Sequence, residues 1–233
     1  MALSESSGET SDQQPPGEHT PGIRLLVVED DPAVRGAFVA LLDAEPGFQV
    51  VGHADDGQQA EALALACQPD VVILDIRLGQ ENGVMVGDRI RRSLPRVKLI
   101  ALTAYDTEGN VYAAARHSFD GYVVKDMAAR HLVQAVRTVY QGGRVYLSNT
   151  PQALMVQENS LRGVRLAPPY GLTPKEMDIL GSLAAGKNNR QIADEHGLSV
   201  SRIEKLLTSI YQKLEVRGRT EALRRALDED LAF

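Results

Sequence analysis

The first patterned stretch of the chain is a short apolar run, Ile23-Arg24-Leu25-Leu26-Val27-Val28, and apolar residues at helical spacing follow it from Pro32 to about Ala44. The theme repeats. Phe48 to Gly52, Val71 to Leu74, Val97 to Leu102 and Gly121 to Val124 are apolar runs of strand length, each followed by an amphipathic segment. Five strands alternating with five helices predict an α/β fold, a parallel sheet covered by helices on both faces. Val71-Val72-Ile73-Leu74 is apolar without alternation, the pattern of a central strand buried on both sides. The fifth helix, about Met127 to Tyr140, runs into Gly142-Gly143, where glycine tolerates a left-handed cap. The first domain is expected over residues 23–143.

From 144 to 169 the periodicity fades, and Asn149, Pro151, Asn159, Gly163 and Pro168-Pro169 interrupt what remains, so a linker is expected. The restart is sharp. Thr173-Pro174-Lys175-Glu176 supplies an N-cap, a proline at the first helical position and a glutamate three residues after the cap. Four short helices are predicted in a second, all-α domain over 170–233: Pro174 to Ala185, Arg190 to His196, Val200 to Leu214 and Glu221 to about Leu231. Only Gly197-Leu198-Ser199 separates the second from the third, the short glycine turn of a helix-turn-helix. Residues 1–22 are rich in Ser, Glu, Gln, Pro and Gly, too poor in apolar side chains to offset the entropy of ordering, and are expected to form a disordered tail.

Composition narrows the possibilities. The chain of 233 residues carries a formal net charge of -6, which argues against a generally basic nucleic-acid coat while leaving room for a local DNA-reading face. The single cysteine, Cys67, excludes an intramolecular disulfide and a multi-cysteine zinc site, as suits a reducing cytoplasm. No stretch reaches the roughly 18 continuous apolar residues of a membrane span, and the N-terminus lacks the basic-then-apolar order of a signal peptide. Cytoplasmic residence without a membrane partner is expected.

The chemistry gathers at strand ends. Glu29 and Asp30 directly follow the first strand, Asp75 the third, and Thr103 and Lys125 end the fourth and fifth. Ligands of open parallel sheets bind beyond the carboxyl ends of the strands. Three carboxylates meeting there repel one another unless a hard cation sits among them, and an all-oxygen set suits Mg2+. With a lysine and a hydroxyl on the same rim, the inventory fits phosphoryl transfer onto a carboxylate. His117 and His131 read as ordinary helix residues, and Cys67 and Met127 as core or helix-surface residues.

Those strings, Val28-Glu29-Asp30, Pro69-Asp70-Val71-Val72-Ile73-Leu74-Asp75, Leu102-Thr103-Ala104 and Tyr122-Val123-Val124-Lys125, resemble the receiver domain of two-component response regulators over about Ile23 to Gly143. The resemblance implies a five-stranded doubly wound sheet of order 2-1-3-4-5 and a sensor histidine kinase as phosphoryl donor. It further implies Asp75 as phosphoacceptor, the Arg77 carbonyl joining Glu29, Asp30 and Asp75 around magnesium, and Thr103 and Tyr122 as a switch pair, the ring swinging inward. Gly79 stands where the family commonly has proline, and Glu29 where aspartate is commoner. A competing class, an aspartyl-phosphate phosphatase of the haloacid dehalogenase type, wants an aspartate two residues after the nucleophile, where this chain has Arg77.

In the second domain, Ile203, Leu207, Ile210 and Leu214 share one face of the third helix. Counting about 100° per residue, the opposite face presents Ser201, Lys205, Thr208 and Gln212, with Arg202, Glu204 and Ser209 at its edges, groups able to meet base edges and phosphates. Lys187, Asn188, Asn189 and Arg190 open the preceding helix and are placed for phosphate contact. Leu172 to about Ala226 resembles the LuxR-type helix-turn-helix, through Leu172-Thr173-Pro174-Lys175-Glu176, Gln191-Ile192-Ala193, Lys213-Leu214 and Arg219-Thr220-Glu221-Ala222. With the receiver this implies the NarL/FixJ class, a transcriptional regulator whose last helix pairs with a second copy on double-stranded DNA. Glu204 and Leu206 replace the family's usual lysine and histidine, so weaker or altered DNA reading, or an output that binds protein instead, stays open.

Overall fold

A computed structural model describes residues 22–151, 153 and 168–231. All of the expected tail but Gly22, and most of the expected linker, lie outside the described residues. Strands β1 (Ile23–Val28), β2 (Phe48–Ala54), β3 (Val71–Asp75), β6 (Lys98–Thr103), β7 (Gly121–Val124) and β8 (Val145–Leu147) form one sheet in the order β2-β1-β3-β6-β7-β8. Every neighbouring pair in it is parallel. Helices α1 (Pro32–Asp43), α2 (Gly57–Cys67), α3 (Gly83–Ser93), α4 (Glu108–Arg116) and α5 (Lys125–Tyr140) connect them. The first four are capped by side chains of Asp31, Asp56, Asn82 and Thr107, which accept from otherwise orphaned amides of the first turn.

The two-sided burial read from β3 is present. Val72 and Leu74 face a core that includes Val84, Ile90 and Phe119, while Val71 and Ile73 face Leu132 and Val136 of α5. Two features depart from the expected five strands. β8 adds a sixth inside the segment read as linker, where Tyr146 stacks on Tyr122 at 6.1 Å between ring centroids and donates its hydroxyl to the Phe119 carbonyl at 3.0 Å. Burial of that ring explains why three residues after a glycine pair extend the sheet. The second departure follows β3, where β4 (Arg77–Leu78) and β5 (Glu81–Asn82) pair antiparallel about Gly79, whose φ is +60°. Proline, fixed near -65°, could not make that turn, which accounts for glycine where the resembled family has proline.

The remaining helices are α6 (Pro174–Ala184), α7 (Asn189–His196), α8 (Val200–Lys213) and α9 (Arg219–Asp228). Thr173 and Glu176 form the expected capping box, and Asn188 with Gln191 forms a second one. Gly197, at φ +63°, turns the chain between α7 and α8. α9 begins two residues before the expected Glu221, behind Gly218, and ends at Asp228 rather than near Leu231. The helices enclose a core of Leu172, Leu180, Ile192, Ile203, Ile210 and Ala226. One residue of the first unit belongs to this core: Tyr112 of α4, 4% exposed. Arg116 of α4 adds an ion pair to Asp178 of α6 at 2.8 Å. Among the described residues, no helix is long and apolar enough to cross a membrane.

Candidate functional site

The sheet brings the expected residues to one rim. β1 and β3 are neighbours, and oxygens of Glu29, Asp30 and Asp75 lie within 4.8 Å of one another. β3 pairs with β6 and β6 with β7, so Thr103 and Lys125 arrive on the same edge. Lys125 borders a cavity of about 400 Å³ lined also by Glu29, Asp30, Asp75, Arg77 and Tyr105, while Thr103 lies buried beside it. A hollow of about 450 Å³ at the other end of the sheet, beside Asp70, Leu94, Lys98 and Tyr140, gathers no comparable cluster of carboxylates.

Lys125 is the cation of the rim. Its Nζ donates to Asp75 Oδ2 at 2.7 Å and lies 2.6 Å from Glu29 Oε2. Lys125 thus bridges two buried carboxylates, each of which has only this one ammonium beside it. Burial pushes both carboxyls above their usual range, Lys125 pulls them back only in part, and each carboxylate has another carboxylate beside it. The same burial works against the Lys125 charge, but its two acidic partners hold the ammonium above its ordinary value. Three clustered carboxylates sharing a single ammonium make an all-oxygen set that a hard divalent cation fits. Gly83 allows the close packing behind it, because a Cβ there would lie 1.8 Å from the Asp75 carbonyl oxygen.

The other receiver residues occupy less expected positions. The Arg77 amide donates to Asp75 Oδ1 at 3.0 Å, while its guanidinium turns away, 3.8 Å from the centre of the Tyr105 ring. The Thr103 hydroxyl donates to the Tyr105 carbonyl at 3.1 Å. The Tyr122 ring is fully buried in this structure, its hydroxyl 3.4 Å from the same carbonyl, so the inward swing implied for it has no outward starting point here.

On α8, Ser201, Arg202, Glu204, Lys205, Thr208 and Gln212 are exposed together, and nothing from the first unit covers Lys205 or Thr208. Ser209 departs from that face. It is half-buried and donates its hydroxyl to Glu176 at 2.7 Å, because the Glu176 carboxylate, 3% exposed, needs donors. Burial works against that charge, but hydrogen bonds from Lys213, Thr173 and Ser209 hold the carboxyl down at about 2. At the start of α7, Arg190 and Asn188 are exposed, Lys187 is paired to Glu195 at 2.7 Å, and Asn189 accepts from Arg219 at 3.4 Å.

Sequence reasoning passed over Asn110, Tyr112 and Asp230. Asp230 accepts from the Arg77 Nη2 at 2.6 Å and from the Asn110 amide at 3.1 Å, across 153 and 120 residues of chain. No local pattern carries so distant a pairing; the only signal is an aromatic residue and an asparagine on a helix whose inner face is already filled.

Comparison with known proteins agrees with this architecture. Residues 25–137 match the response regulator receiver domain, and residues 171–226 match the LuxR family of bacterial regulatory proteins. The transcriptional regulatory protein LnrK of Bacillus subtilis is 32% identical over 207 residues, 86% of this chain and 94% of that protein. The response regulator protein VraR of Staphylococcus epidermidis is 30% identical over 210 residues, 90% of this chain and 98% of its own length. A crystal structure of a LuxR-family two-component response regulator from Aurantimonas shares 26% identity at a TM-score of 0.54, covering 60% of this chain and 98% of that one. Fold and rim together define a response regulator receiver. The chain belongs to the response regulators that join such a receiver to a LuxR-type DNA-binding domain and regulate transcription.

Proposed function

We propose that phosphorylation of Asp75 controls DNA binding by the α7–α8 helix-turn-helix. The observation that carries this reading is the convergence of Asp75, Glu29, Asp30 and Lys125 on one open cavity. Asp75 Oδ attacks the phosphorus of a phosphohistidine on a sensor kinase. The phosphorus–oxygen bond forms as the phosphorus–nitrogen bond breaks, and the imidazole leaves with the electron pair and takes up a proton. Mg2+, held by Glu29, Asp30, Asp75 and the Arg77 carbonyl, would supply charge neutralisation for the phosphoryl oxygens. Lys125 moves from bridging two carboxylates to holding the product, and the Thr103 hydroxyl turns from the Tyr105 carbonyl toward the phosphoryl group.

The chain divides, on this reading, into a tail over 1–22, a receiver whose sheet runs from β1 through β8 and so past the expected end at 143, a linker up to 169 and a DNA-binding domain over 170–233. Ser201, Arg202, Glu204, Lys205, Thr208 and Gln212 meet the major groove, with Arg190, Asn188, Asn189 and Lys187 near phosphate. DNA as target places the protein in the cytoplasm, and α9 pairs two copies on a two-fold site. The chain is a phosphoryl acceptor and not an enzyme: where a phosphatase of the competing class keeps an acid, this chain has Arg77, a cation paired with Asp230. Binding to duplexes selected from a random-sequence pool, measured by gel shift with the full chain before and after treatment with acetyl phosphate and Mg2+, tests this. Affinity should rise on treatment and stay unchanged in Asp75→Asn; equal binding in all states overturns phosphorylation control.

A further inference from the structure

The hairpin after β3 holds two of the three rim carboxylates. The Arg77 amide at its start donates to Asp75 Oδ1 at 3.0 Å, and the Gly79 amide at its turn donates to Asp30 Oδ2 at 3.1 Å. Both donors move with the hairpin, and with them the gap between two acids that a cation has to span. Strands as short as β4 and β5, two residues each, do not hold themselves in place. Leu78, 2% exposed, plugs the first strand into the core. The second strand has no apolar anchor: it consists of Glu81 and Asn82, and the Asn82 side chain is engaged in capping α3.

Glu81 is what ties that second strand down. Its Oε1 accepts from the Gly57 amide at 3.2 Å, and its Oε2 accepts from Arg89 Nη2 of α3 at 2.8 Å. Arg89 also donates through Nε to Glu61 of α2 at 2.7 Å, so the hairpin, α2 and α3 are laced together. The Asp56 cap of α2 serves the Gln59 amide, which leaves the Gly57 N–H as a first-turn donor for Glu81, at the helix end where a carboxylate is favoured. Gly57 has no room for a side chain. A Cβ there would lie 2.7 and 2.8 Å from the two Glu81 oxygens and 2.8 Å from Val86 Cγ2, so glycine at the mouth of α2 is what admits the carboxylate.

We propose that Glu81 is a positioning residue: it pins the hairpin so that the Arg77 and Gly79 amides keep Asp75 and Asp30 at a cation-binding spacing, and it thereby sets the affinity of the rim for Mg2+. This rests on the cation site of the reading given above and adds to it a residue outside the rim that tunes it. Glycine at 79 leaves the turn without stiffness of its own, and the tie from Glu81 supplies it from outside.

The test is a Mg2+ titration of the full chain followed by 1H–15N NMR, without phosphodonor. Glu81→Ala should weaken Mg2+ binding on the order of fivefold, less than the tenfold or more that follows loss of a direct partner of a ligand. Glu81 is exposed, so its truncation leaves the fold intact, as thermal melts will check. Gly57→Ala, which displaces the carboxylate without removing it, should weaken binding by a similar factor. The double variant should bind no more weakly than either single one, because the carboxylate that Ala would displace is already gone. Arg92→Ala, which breaks the Arg92–Asp88 pair elsewhere on α3, should bind Mg2+ as wild type does. Glu81→Ala at wild-type affinity, effects that multiply in the double variant, or an equal loss in Arg92→Ala would each overturn the positioning role while leaving the cation site in place. A wild type that binds no Mg2+ overturns the site and the role together. Labelling by acetyl phosphate is read separately: the expected Mg2+ affinities in a chain that takes no label on Asp75 uphold Glu81 and overturn only the acceptor.

Discussion

Two buried carboxylate sites, one in each unit, face opposite ways electrostatically. Glu176 of α6 has donors from Thr173, Ser209 and Lys213 around it and is held down at about 2. Glu29 and Asp75 share one lysine among three acids and are pushed upward by burial. A satisfied buried charge ties helices together; an underserved one keeps capacity for something that arrives. The first pattern explains how the helical unit holds its shape, and the second leaves the rim of the sheet with charge to be neutralised.

That contrast can be broken by substitution. The largest effect is expected for Gly83→Ala, whose Cβ would strike the Asp75 carbonyl at 1.8 Å with backbone on both sides. Thermal melts should show a loss of about 4 kcal/mol, among the severe single-residue effects. Lys125→Met comes next: stripping the ammonium from two buried acids should cost about 3 kcal/mol in chelator at pH 7. Added Mg2+ should return part of that loss, and should raise the variant's melting temperature more than it raises that of wild type. Equal responses to Mg2+ would mean that the carboxylates do not form a cation site.

Glu176→Gln should cost about 2 kcal/mol at pH 7, because Lys213 and Ser209 lose a charged acceptor. The pH dependence follows from the depressed carboxyl. Folding holds the group near 2 against an ordinary 4.5, so its contribution is complete above about 4.5 and disappears as pH falls toward 2. Urea melts of wild type and Glu176→Gln should therefore converge over that window; a gap undiminished at pH 2.5 would show that the side chain acts by shape alone. Asp75→Asn, by contrast, should leave stability at pH 7 equal to wild type or higher, since it removes a charge that burial disfavours.

The same contrast marks what the chain revealed in advance. Unbroken Val71-Val72-Ile73-Leu74 announced a central strand, and acids, hydroxyl and lysine at successive strand ends announced the rim, because strand order converts those ends into neighbours. β8 was missed since three residues carry no period, and only the stacking of Tyr146 on Tyr122 holds them in the sheet. Ser209 was placed at the edge of the reading face by angular counting, which knows nothing of an acid on another helix. Asp230 was invisible for the same reason, its partners being 120 or more residues away.

The smallest expected effect lies on α8 and separates its two kinds of polar residue. Ser209→Ala should cost about 1 kcal/mol of stability through Glu176 and leave DNA affinity unchanged, since its hydroxyl points inward. Glu204→Lys should do the reverse, because Glu204 is exposed beside Lys205 and a carboxylate near phosphate opposes the sequence-independent part of binding. Its affinity for random duplex should rise several-fold at low salt, with the slope of log affinity against log salt steeper by about one. Stability should stay within about 0.5 kcal/mol of wild type, as for other surface changes. If the slope is unaltered, Glu204 stands away from the phosphates, and the exposed face of α8 meets DNA in a different orientation or meets another partner.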